Sequence, residues 1–240
     1  MILKSIITPN EHPHINMAID WYILENAVPT LHTFTWNPPS VSIGYLQKSS
    51  ALNGEEIKRR KFLVARRPTG GKAVIHVGDI SLALFLPADI LPKRAKDAYF
   101  VLSNLLQETL EKITGLPLSR TTEDEYHKHE GCFTSSTGYE IGIKGEKVAG
   151  IAVRKVRDGM LMHASIRIEP FPSFAGDLIM PPEKMKGTSF KEHSVTFSPT
   201  DLHESMLDTL IKHFSMKIEP IDIDSTIISP YLSKVVVKPT

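Results

Sequence analysis

Cys132 is the only cysteine in the 240-residue chain, and it is a candidate nucleophile. Polar and basic residues precede it, among them His127, Lys128 and His129. Cations near a thiol favour the thiolate, which is the reactive form of cysteine. A thiolate can attack a carbonyl carbon and hold an acyl group as a thioester. Two interpretations stay open at this point, a covalent catalyst or a small inert hydrophobic residue.

Lys147 is the second candidate for chemistry. It begins a predicted strand within the segment Gly145-Glu146-Lys147-Val148-Ala149-Gly150, whose apolar residues could remove its ammonium from water. The alternative is an exposed lysine at the end of a strand.

A basic, glycine-containing loop is a candidate binding element. Two arginines leave a strand and are followed by paired glycines, in the order Arg66-Arg67-Pro68-Thr69-Gly70-Gly71-Lys72. Paired glycines let a backbone approach a ligand closely, so this loop could cradle a phosphate or a carbonyl oxygen. Its spacing is not that of a P-loop or of G-x-G-x-x-G, and a basic hairpin turn is the alternative.

Two histidines, His76 and His163, lie among apolar residues. Each is either a ligand-binding group or a hydrogen-bonded histidine of the core. The sequence has neither H-E-x-x-H nor C-x-x-C, and its ten histidines are dispersed. We therefore expect no metal site.

Composition narrows the class of protein. Lys and Arg number 28 against 27 Asp and Glu, so no global field favours a nucleic acid, and we expect no nucleic-acid partner. A single cysteine excludes an intrachain disulfide, and the opening residues MILKSIITPN lack the apolar run of a signal peptide. The longest apolar stretch, residues 82–87, is too short to span a bilayer. We expect a cytoplasmic protein with no membrane segment.

The predicted elements mix helices and strands without regular βα alternation, which favours an α+β sheet protein over a Rossmann or TIM fold. We expect two strands, 34–36 and 41–45, to pair around Asn37-Pro38-Pro39, and a polar loop to span residues 120–138. The other predicted elements are a helix around 15–23, strands 62–65 and 80–86, a helix over 99–113 stopped by Gly115, a meander of strands 139–143, 147–154 and 160–168, and a closing helix from the cap Ser198 to Phe214.

These motifs together resemble the family of lipoate–protein ligases and octanoyltransferases. The basic loop followed by Val74-Ile75-His76, and Lys147-Val148-Ala149-Gly150 followed by His163, match its order and separation. Supporting segments are Asn16-Met17-Ala18-Ile19-Asp20, Trp36-Asn37-Pro38-Pro39 and Ser42-Ile43-Gly44-Tyr45. The resemblance implies a biotin/lipoate ligase-like catalytic domain, with a central mixed β-sheet flanked by helices, that acts on medium-chain acyl groups.

Within this family, the segment around Cys132-Phe133 is similar to the cysteine-bearing loop of the octanoyltransferases. Lys72 stands where ligases usually have a third glycine and these transferases a basic residue. Many ligases also carry a C-terminal accessory domain. This chain ends soon after its last predicted helix, so we expect residues 1–240 to be a single catalytic domain without an accessory domain.

The resemblance implies a route for the acyl group. Octanoyl would pass from acyl carrier protein to Cys132 and then to a lysine of a lipoyl domain or of the glycine cleavage H protein, without a cofactor, because a thioester already has the driving force for amide formation. Lys147 would favour the thiolate and polarise the acyl carbonyl. The residues expected to bind substrate are Arg66, Arg67, Thr69, Gly70, Gly71, Lys72, His76, Gly150 and His163.

Two alternatives follow from the same resemblance. In an ATP-dependent lipoate or octanoate ligase, ATP and Mg would be needed and Cys132 would be a bystander. In a non-catalytic paralogue, the chain would bind lipoyl domains without acylating them. Gly150-Ile151-Ala152-Val153 stands where the family commonly has Gly-Ser-Ala-Gln, and Val77-Gly78-Asp79 replaces an acidic residue directly after the histidine.

A basic run at residues 58–61, Lys-Arg-Arg-Lys, is either a docking site for the acidic face of acyl carrier protein or a solvated helix face.

Overall fold

The computed structural model describes residues 1–121, 129–134 and 140–238. The strands in this part of the chain are β1 (Ile2–Glu11), β2 (Thr30–Trp36), β3 (Ser40–Ile43), β4 (Leu63–Arg66), β5 (Val74–His76), β6 (Asp79–Pro87), β7 (Ser119–Arg120), β8 (Ile141–Ile143), β9 (Glu146–Lys155), β10 (Gly159–Arg167) and β11 (Lys217–Pro220). The α-helices are α1 (Pro13–Glu25), α2 (Gly54–Arg59), α3 (Ala95–Thr114), α4 (Pro199–Phe214), α5 (Ser225–Ile228) and α6 (Leu232–Val235).

Two sheets organise the molecule. The large sheet has the order β11-β1-β2-β6-β10-β9-β8-β7, and the small one the order β4-β3-β5. β1 runs parallel to both of its neighbours, whereas the pairs from β2 to β7 are antiparallel. This mixed sheet with flanking helices is the α+β architecture that the sequence predicts.

Strand β6 lies at the centre of the large sheet and is buried on both faces. Leu82, Leu84 and Leu86 pack into the cluster that contains α3 and α4, while Ala83 and Phe85 pack into the cluster that contains α1. Adjacent side chains of a strand point to opposite faces, so a continuous apolar run is expected where helices cover both. The strand predicted over residues 80–86 is confirmed.

Helix α3 ends, and helix α4 begins, at the residue that the sequence predicts. α3 stops at Gly115, whose φ of 68° is left-handed. α4 begins with a capping box, in which Ser198 and Asp201 satisfy each other's backbone N–H groups. Among the described residues, no helix has both the length and the apolar character needed to cross a bilayer.

The predicted pairing of strands 34–36 and 41–45 is wrong. β2 pairs with β1 and β6 in the large sheet, whereas β3 pairs with β4 and β5 in the small one. Alternating apolar residues indicate which face of a strand is buried, but they do not indicate its partner.

The helix predicted to close the domain is followed by further structure. After α4 the chain forms β11, which pairs with β1, and then α5 and α6, which pack near α1. The sequence patterns did not predict strands β1, β5, β7 and β11 either. Of the loop predicted over 120–138, residues 122–128 and 135–138 lie outside the described part of the chain, and Cys132–Thr134 forms a short 3-10 turn.

Candidate active site

A cavity of about 460 Å³ lies where the two sheets and α3 meet, within the size range of small-molecule sites, about 300–1,000 Å³. Cys132 lies on its wall. Most of the lining is apolar, contributed by Met17, Phe34, Trp36, Val74, Leu82, Tyr99, Phe100, Ile151, Ala152, Val153 and Ala164. Such a cavity suits a hydrocarbon chain whose reactive end lies near the thiol.

The backbone around Cys132 is tied to the segment that precedes β5. The Cys132 N–H donates to the carbonyl oxygen of Ala73 at 2.7 Å, and the Ala73 N–H donates to Glu130 at 2.9 Å. The Glu183 carboxylate accepts from the N–H groups of Glu130 and Gly131 at 2.6 and 3.2 Å. These contacts hold the half-buried cysteine at a fixed position.

Lys147 is the second residue of strand β9, and its side chain reaches Cys132. Its Nζ donates to the carbonyl oxygen of Cys132 at 2.8 Å, lies 3.5 Å from the Sγ atom and donates to Glu140 Oε1 at 3.1 Å. Only 5% of Lys147 is exposed, so the interpretation as an exposed strand-end lysine is wrong. Burial lowers its pKa, but the charges of Cys132 and Glu140 outweigh burial and hold the pKa above its ordinary value.

Gly150 lies against the side chains of both Cys132 and Lys147. A Cβ atom at this position would come within 2.9 Å of Cys132 Sγ and 3.4 Å of Lys147 Cε. Real Cβ atoms essentially never come within 3.0 Å of another heavy atom, so a side chain at this position would displace the thiol. The resemblance assigns Gly150 to substrate binding, and its geometry indicates that it also makes room for Cys132.

The two arginines of the basic loop hold backbone. Arg67 donates to the carbonyl oxygens of Ser42, Gly70 and Lys72 at 3.1, 2.7 and 2.8 Å. Arg66 donates to the carbonyl oxygens of Gly44, Tyr45 and Gln47 at 2.8–2.9 Å. The resemblance implies that both arginines bind substrate. Their observed contacts hold the backbone of the loop, and substrate binding by them stays a prediction.

His76 lies at one side of the cavity, fixed by two hydrogen bonds. Its Nδ1 is 2.7 Å from Asp79 Oδ2, and its Nε2 is 2.8 Å from Ser42 Oγ. Asp79 reaches it although two residues separate them, because Gly78, with a φ of 68°, turns the chain between β5 and β6. The Trp36 ring stacks on the imidazole, with centroids 3.7 Å apart.

His163 belongs to a second buried network. Its Nδ1 is 2.8 Å from Thr69 Oγ1 and its Nε2 is 2.9 Å from Asp20 Oδ2. The other oxygen of Asp20 is 2.8 Å from His32 Nδ1. Burial would raise the pKa of Asp20, but the two histidines hold it below its ordinary value.

The cavity brings together most of the residues that the sequence singles out. Those that line it are Arg67, Gly70, Gly71, Lys72, His76, Cys132, Gly150 and His163. The other three contact residues of the cavity wall or its neighbourhood. Thr69 is hydrogen-bonded to His163, Lys147 donates to the carbonyl oxygen of Cys132, and Arg66 donates to backbone carbonyl oxygens of residues 44–47. The neighbours His127 and Lys128, and the predicted strand start at residue 139, lie outside the described residues.

Sequence reasoning missed three acidic residues of the site, Asp20, Glu140 and Glu183. Asp20 could have been noticed in the sequence, because it is an acidic residue among the mostly apolar residues of the predicted helix α1. Glu183 had none, because its partners Glu130 and Gly131 are distant in sequence. Glu140 had none, because its contact with Lys147 depends on how β8 pairs with β9.

The basic run at residues 58–61 is partly engaged within the protein. Arg59 and Arg60 both pair with Glu56, and Arg60 also lies 3.8 Å from the centre of the Phe174 ring. Docking of a carrier protein on this run stays a prediction.

Comparison with protein families identifies the chain. The model of the lipoyl protein ligase A/B catalytic domain matches residues 12–217. The chain belongs to this family. Octanoyltransferase LipM of Brevibacillus brevis is 31% identical over 232 residues, which cover 88% of this chain and 84% of that protein. Other octanoyltransferases LipM are 26–30% identical.

Solved structures of the family share the fold. A lipoate-protein ligase A bound with ATP has a TM-score of 0.77 at 17% identity, with 97% of this chain and 94% of the other covered. The bipartite lipoate protein ligase of Thermoplasma acidophilum, described with its E2 lipoyl domain, has a TM-score of 0.76 at 16% identity, with 98% and 93% covered. The expected lipoate ligase-like fold is therefore confirmed.

Proposed function

We propose that the protein is an octanoyltransferase of protein lipoylation that carries the acyl group on Cys132. The observation that carries this proposal is the placement of the Cys132 thiol 3.5 Å from the Lys147 ammonium, on the wall of an apolar cavity. The relatives named octanoyltransferase LipM, which match most of the chain, support the same activity.

In the first step the Cys132 thiolate attacks the carbonyl carbon of an octanoyl thioester. A carbon–sulfur bond forms to Cys132, the bond to the donor sulfur breaks, and the donor thiolate takes up a proton. Lys147 favours the attacking thiolate and stabilises charge on the acyl oxygen. No nucleotide is consumed, because one thioester replaces another.

In the second step the amine of a target lysine attacks the octanoyl group on Cys132. A carbon–nitrogen bond forms, the bond to Sγ breaks, and the proton lost by the amine passes to the departing sulfur. Replacing a thioester by an amide is favourable, so the reaction runs toward the octanoylated lysine.

The apolar walls accommodate the chain. Ile151 and Val153, which stand where the family commonly has Ser and Gln, both line the cavity. Burying six or seven methylenes at roughly 0.8 kcal/mol each contributes about 5 kcal/mol. This departure from the family pattern therefore fits a saturated hydrocarbon chain.

The donor in this proposal is octanoyl acyl carrier protein, and the acceptor is a lipoyl domain or the glycine cleavage H protein. A second cavity of about 370 Å³ shares Gly70, Gly71 and Lys72 with the cavity that contains Cys132, here called the acyl cavity, and is also lined by the exposed Leu46. In this proposal the thioester-bearing arm of the donor approaches from that side. The bipartite ligase described with its lipoyl domain supports an acceptor of that type. A cytoplasmic location is part of the same proposal, because donor and acceptor must meet there.

The test is a reconstituted transfer reaction with octanoyl acyl carrier protein, a lipoyl domain and no ATP. We expect the lipoyl domain to gain one octanoyl group, and a lipoyl domain whose target lysine is changed to Arg to gain none. Transfer only from free octanoate with ATP and Mg would instead establish the ligase alternative, whose fold relative is described with ATP bound. Binding of the lipoyl domain without transfer from either donor would establish the non-catalytic alternative.

A further inference from the structure

Ser42, His76 and Asp79 form a hydrogen-bonded chain beside the acyl cavity. Ser42 Oγ is 2.8 Å from His76 Nε2, and His76 Nδ1 is 2.7 Å from Asp79 Oδ2. All three residues are buried, with at most 5% exposed. Serine acyl-transfer enzymes on unrelated folds use these residue types and these atoms in this order, and such a triad is recognised by geometry rather than by sequence position.

The hydrogen bonds determine where the protons lie. Burial would raise the pKa of Asp79, but His76, Arg167 and Ser165 hold it below its ordinary value, so its carboxylate accepts hydrogen bonds. His76 Nδ1 therefore carries the proton, and Nε2 accepts from the Ser42 hydroxyl. Burial lowers the pKa of His76, which keeps the ring neutral and able to take a proton at neutral pH.

Rigid contacts hold this arrangement. The Trp36 ring lies nearly parallel to the imidazole, at 15°, and its Nε1 donates to Ser81 Oγ at 2.8 Å. Asp79 also accepts from Ser165 at 2.7 Å. Arg67 Nη1 donates to Ser42 Oγ at 3.2 Å, so negative charge that develops on this oxygen meets a guanidinium.

The triad shares its cavity with Cys132. Ser42, His76 and Cys132 all line the cavity. Ser42 pairs with Val74 across the small sheet, and the adjacent Ala73 accepts the Cys132 N–H. A medium-chain acyl group bound in this cavity is therefore close to two nucleophile-bearing elements.

We propose that Ser42 is a second acyl-accepting nucleophile, which gives the protein a hydrolase activity toward medium-chain thioesters and esters that is independent of Cys132. Ser42 Oγ bonds to the carbonyl carbon, the bond from that carbon to the donor sulfur or oxygen breaks, and the Ser42 proton passes through His76 Nε2 to the leaving thiol or alcohol. A water oxygen then bonds to the carbonyl carbon of the serine ester, the bond to Ser42 Oγ breaks, one water proton returns through His76 to Ser42 Oγ, and the fatty acid is released. This activity goes beyond the proposed transfer and does not require it.

The test uses the full chain with Cys132→Ala, which removes the thiol. We expect p-nitrophenyl octanoate to be hydrolysed at least tenfold faster by this variant than by the double variant Cys132→Ala/Ser42→Ala. We also expect an alkyl fluorophosphonate to label the single variant, with the adduct mapped to Ser42 by peptide mass spectrometry.

Ser40→Ala in the Cys132→Ala background is the matched control. Ser40 lies on the same strand and donates one partly buried hydrogen bond, to the Pro38 carbonyl oxygen at 2.7 Å, but it is not among the residues that line the cavity. This control should keep labelling and hydrolysis. An unlabelled Ser42 in Cys132→Ala, or equal hydrolysis with and without Ser42, overturns the proposal. The mapping needs only Cys132→Ala, so misfolding of the double variant would not prevent a decision. Octanoyl transfer by the unmodified protein is measured in a separate assay, which distinguishes failure of this proposal from failure of the proposed transfer.

Discussion

The Nζ atom of Lys147 lies 3.5 Å from Sγ of Cys132 and 2.8 Å from the carbonyl oxygen of the same residue. The ammonium thus holds the backbone and the side chain of the cysteine together, and Glu140 fixes the ammonium in turn. This arrangement places the thiol beside a buried cation, and the proposed function assigns catalysis to that pair. The ammonium is expected to set the reactivity of the thiol.

Lys147→Met should slow alkylation of Cys132 by iodoacetamide at pH 7 by about tenfold, equivalent to roughly 1.4 kcal/mol, because the variant loses the cation that favours the thiolate. The rate is measured by intact-mass spectrometry over time. Lys144→Met, which changes an exposed lysine in the turn before β9, is the control and should alkylate like the unmodified protein. Equal rates for Lys147→Met and the unmodified protein would show that the ammonium does not activate the thiol.

Gly150→Ala should reduce octanoyl transfer by at least about tenfold while the melting temperature changes by only a few degrees. The added methyl would meet Sγ at 2.9 Å, and the thiol must move because the glycine backbone is held between β8 and β10. Transfer rate and thermal melting are measured on the same preparation. An active Gly150→Ala protein would mean that the thiol is not needed in its observed position.

Acyl chain length should be selected by the apolar cavity. Each methylene removed from the donor costs about 0.8 kcal/mol of burial, so shortening octanoyl to butanoyl should lower kcat/KM by about 200-fold. A series of acyl carrier proteins loaded with chains of four, six and eight carbons measures this slope. Equal kcat/KM values for the three chain lengths would place the acyl chain outside the cavity lined by Ile151 and Val153.

His203 should make the fold sensitive to acid. It is buried between α4 and the large sheet, bonded to Ser5 Oγ and Thr33 Oγ1, and burial lowers its pKa from 6.5 to about 4. In the unfolded chain it takes up a proton near pH 6.5, so its contribution to stability is present above that pH and is lost as the pH falls toward 4. The loss is up to roughly 3 kcal/mol.

The measurement is the free energy of unfolding in urea at pH 7 and at pH 4, for the unmodified protein and for His203→Gln. Glutamine can keep hydrogen bonds to the two hydroxyl groups but does not titrate. The fall in stability between the two pH values should be smaller in the variant. An identical fall would assign the acid sensitivity to other groups, such as Asp20 and Asp79, whose pKa values are lowered.

Much of the fold could be predicted from local patterns. The capping pair Ser198 and Asp201, the stop at Gly115 and the apolar run of β6 each depend on residues close in sequence, and the structure contains all three features. The pairing of β2 and β3 could not be predicted in this way. Each of these strands finds its partners across long stretches of chain, and alternation in a strand carries no information about them.

In the site, too, some features could be predicted from the sequence and others could not. The basic loop, Cys132, Lys147 and the two histidines could be identified by residue type and by resemblance, and most of them line one cavity. Their partners could not be identified, since Glu140 acts on Lys147 through a fold contact and Ser42 meets His76 across a sheet. Residue types indicate possible chemistry, whereas distances between strands decide which groups act together.

The central claim is that Cys132 carries the acyl group, and intact-mass spectrometry after mixing the protein with octanoyl acyl carrier protein, without ATP, tests it most directly. The account predicts one octanoyl increment on the unmodified protein, mapped to the peptide that contains residue 132. It predicts no octanoyl group on that peptide of Cys132→Ser. Transfer to the lipoyl domain at an undiminished rate by Cys132→Ala, or an unmodified Cys132 during active turnover, would contradict the account.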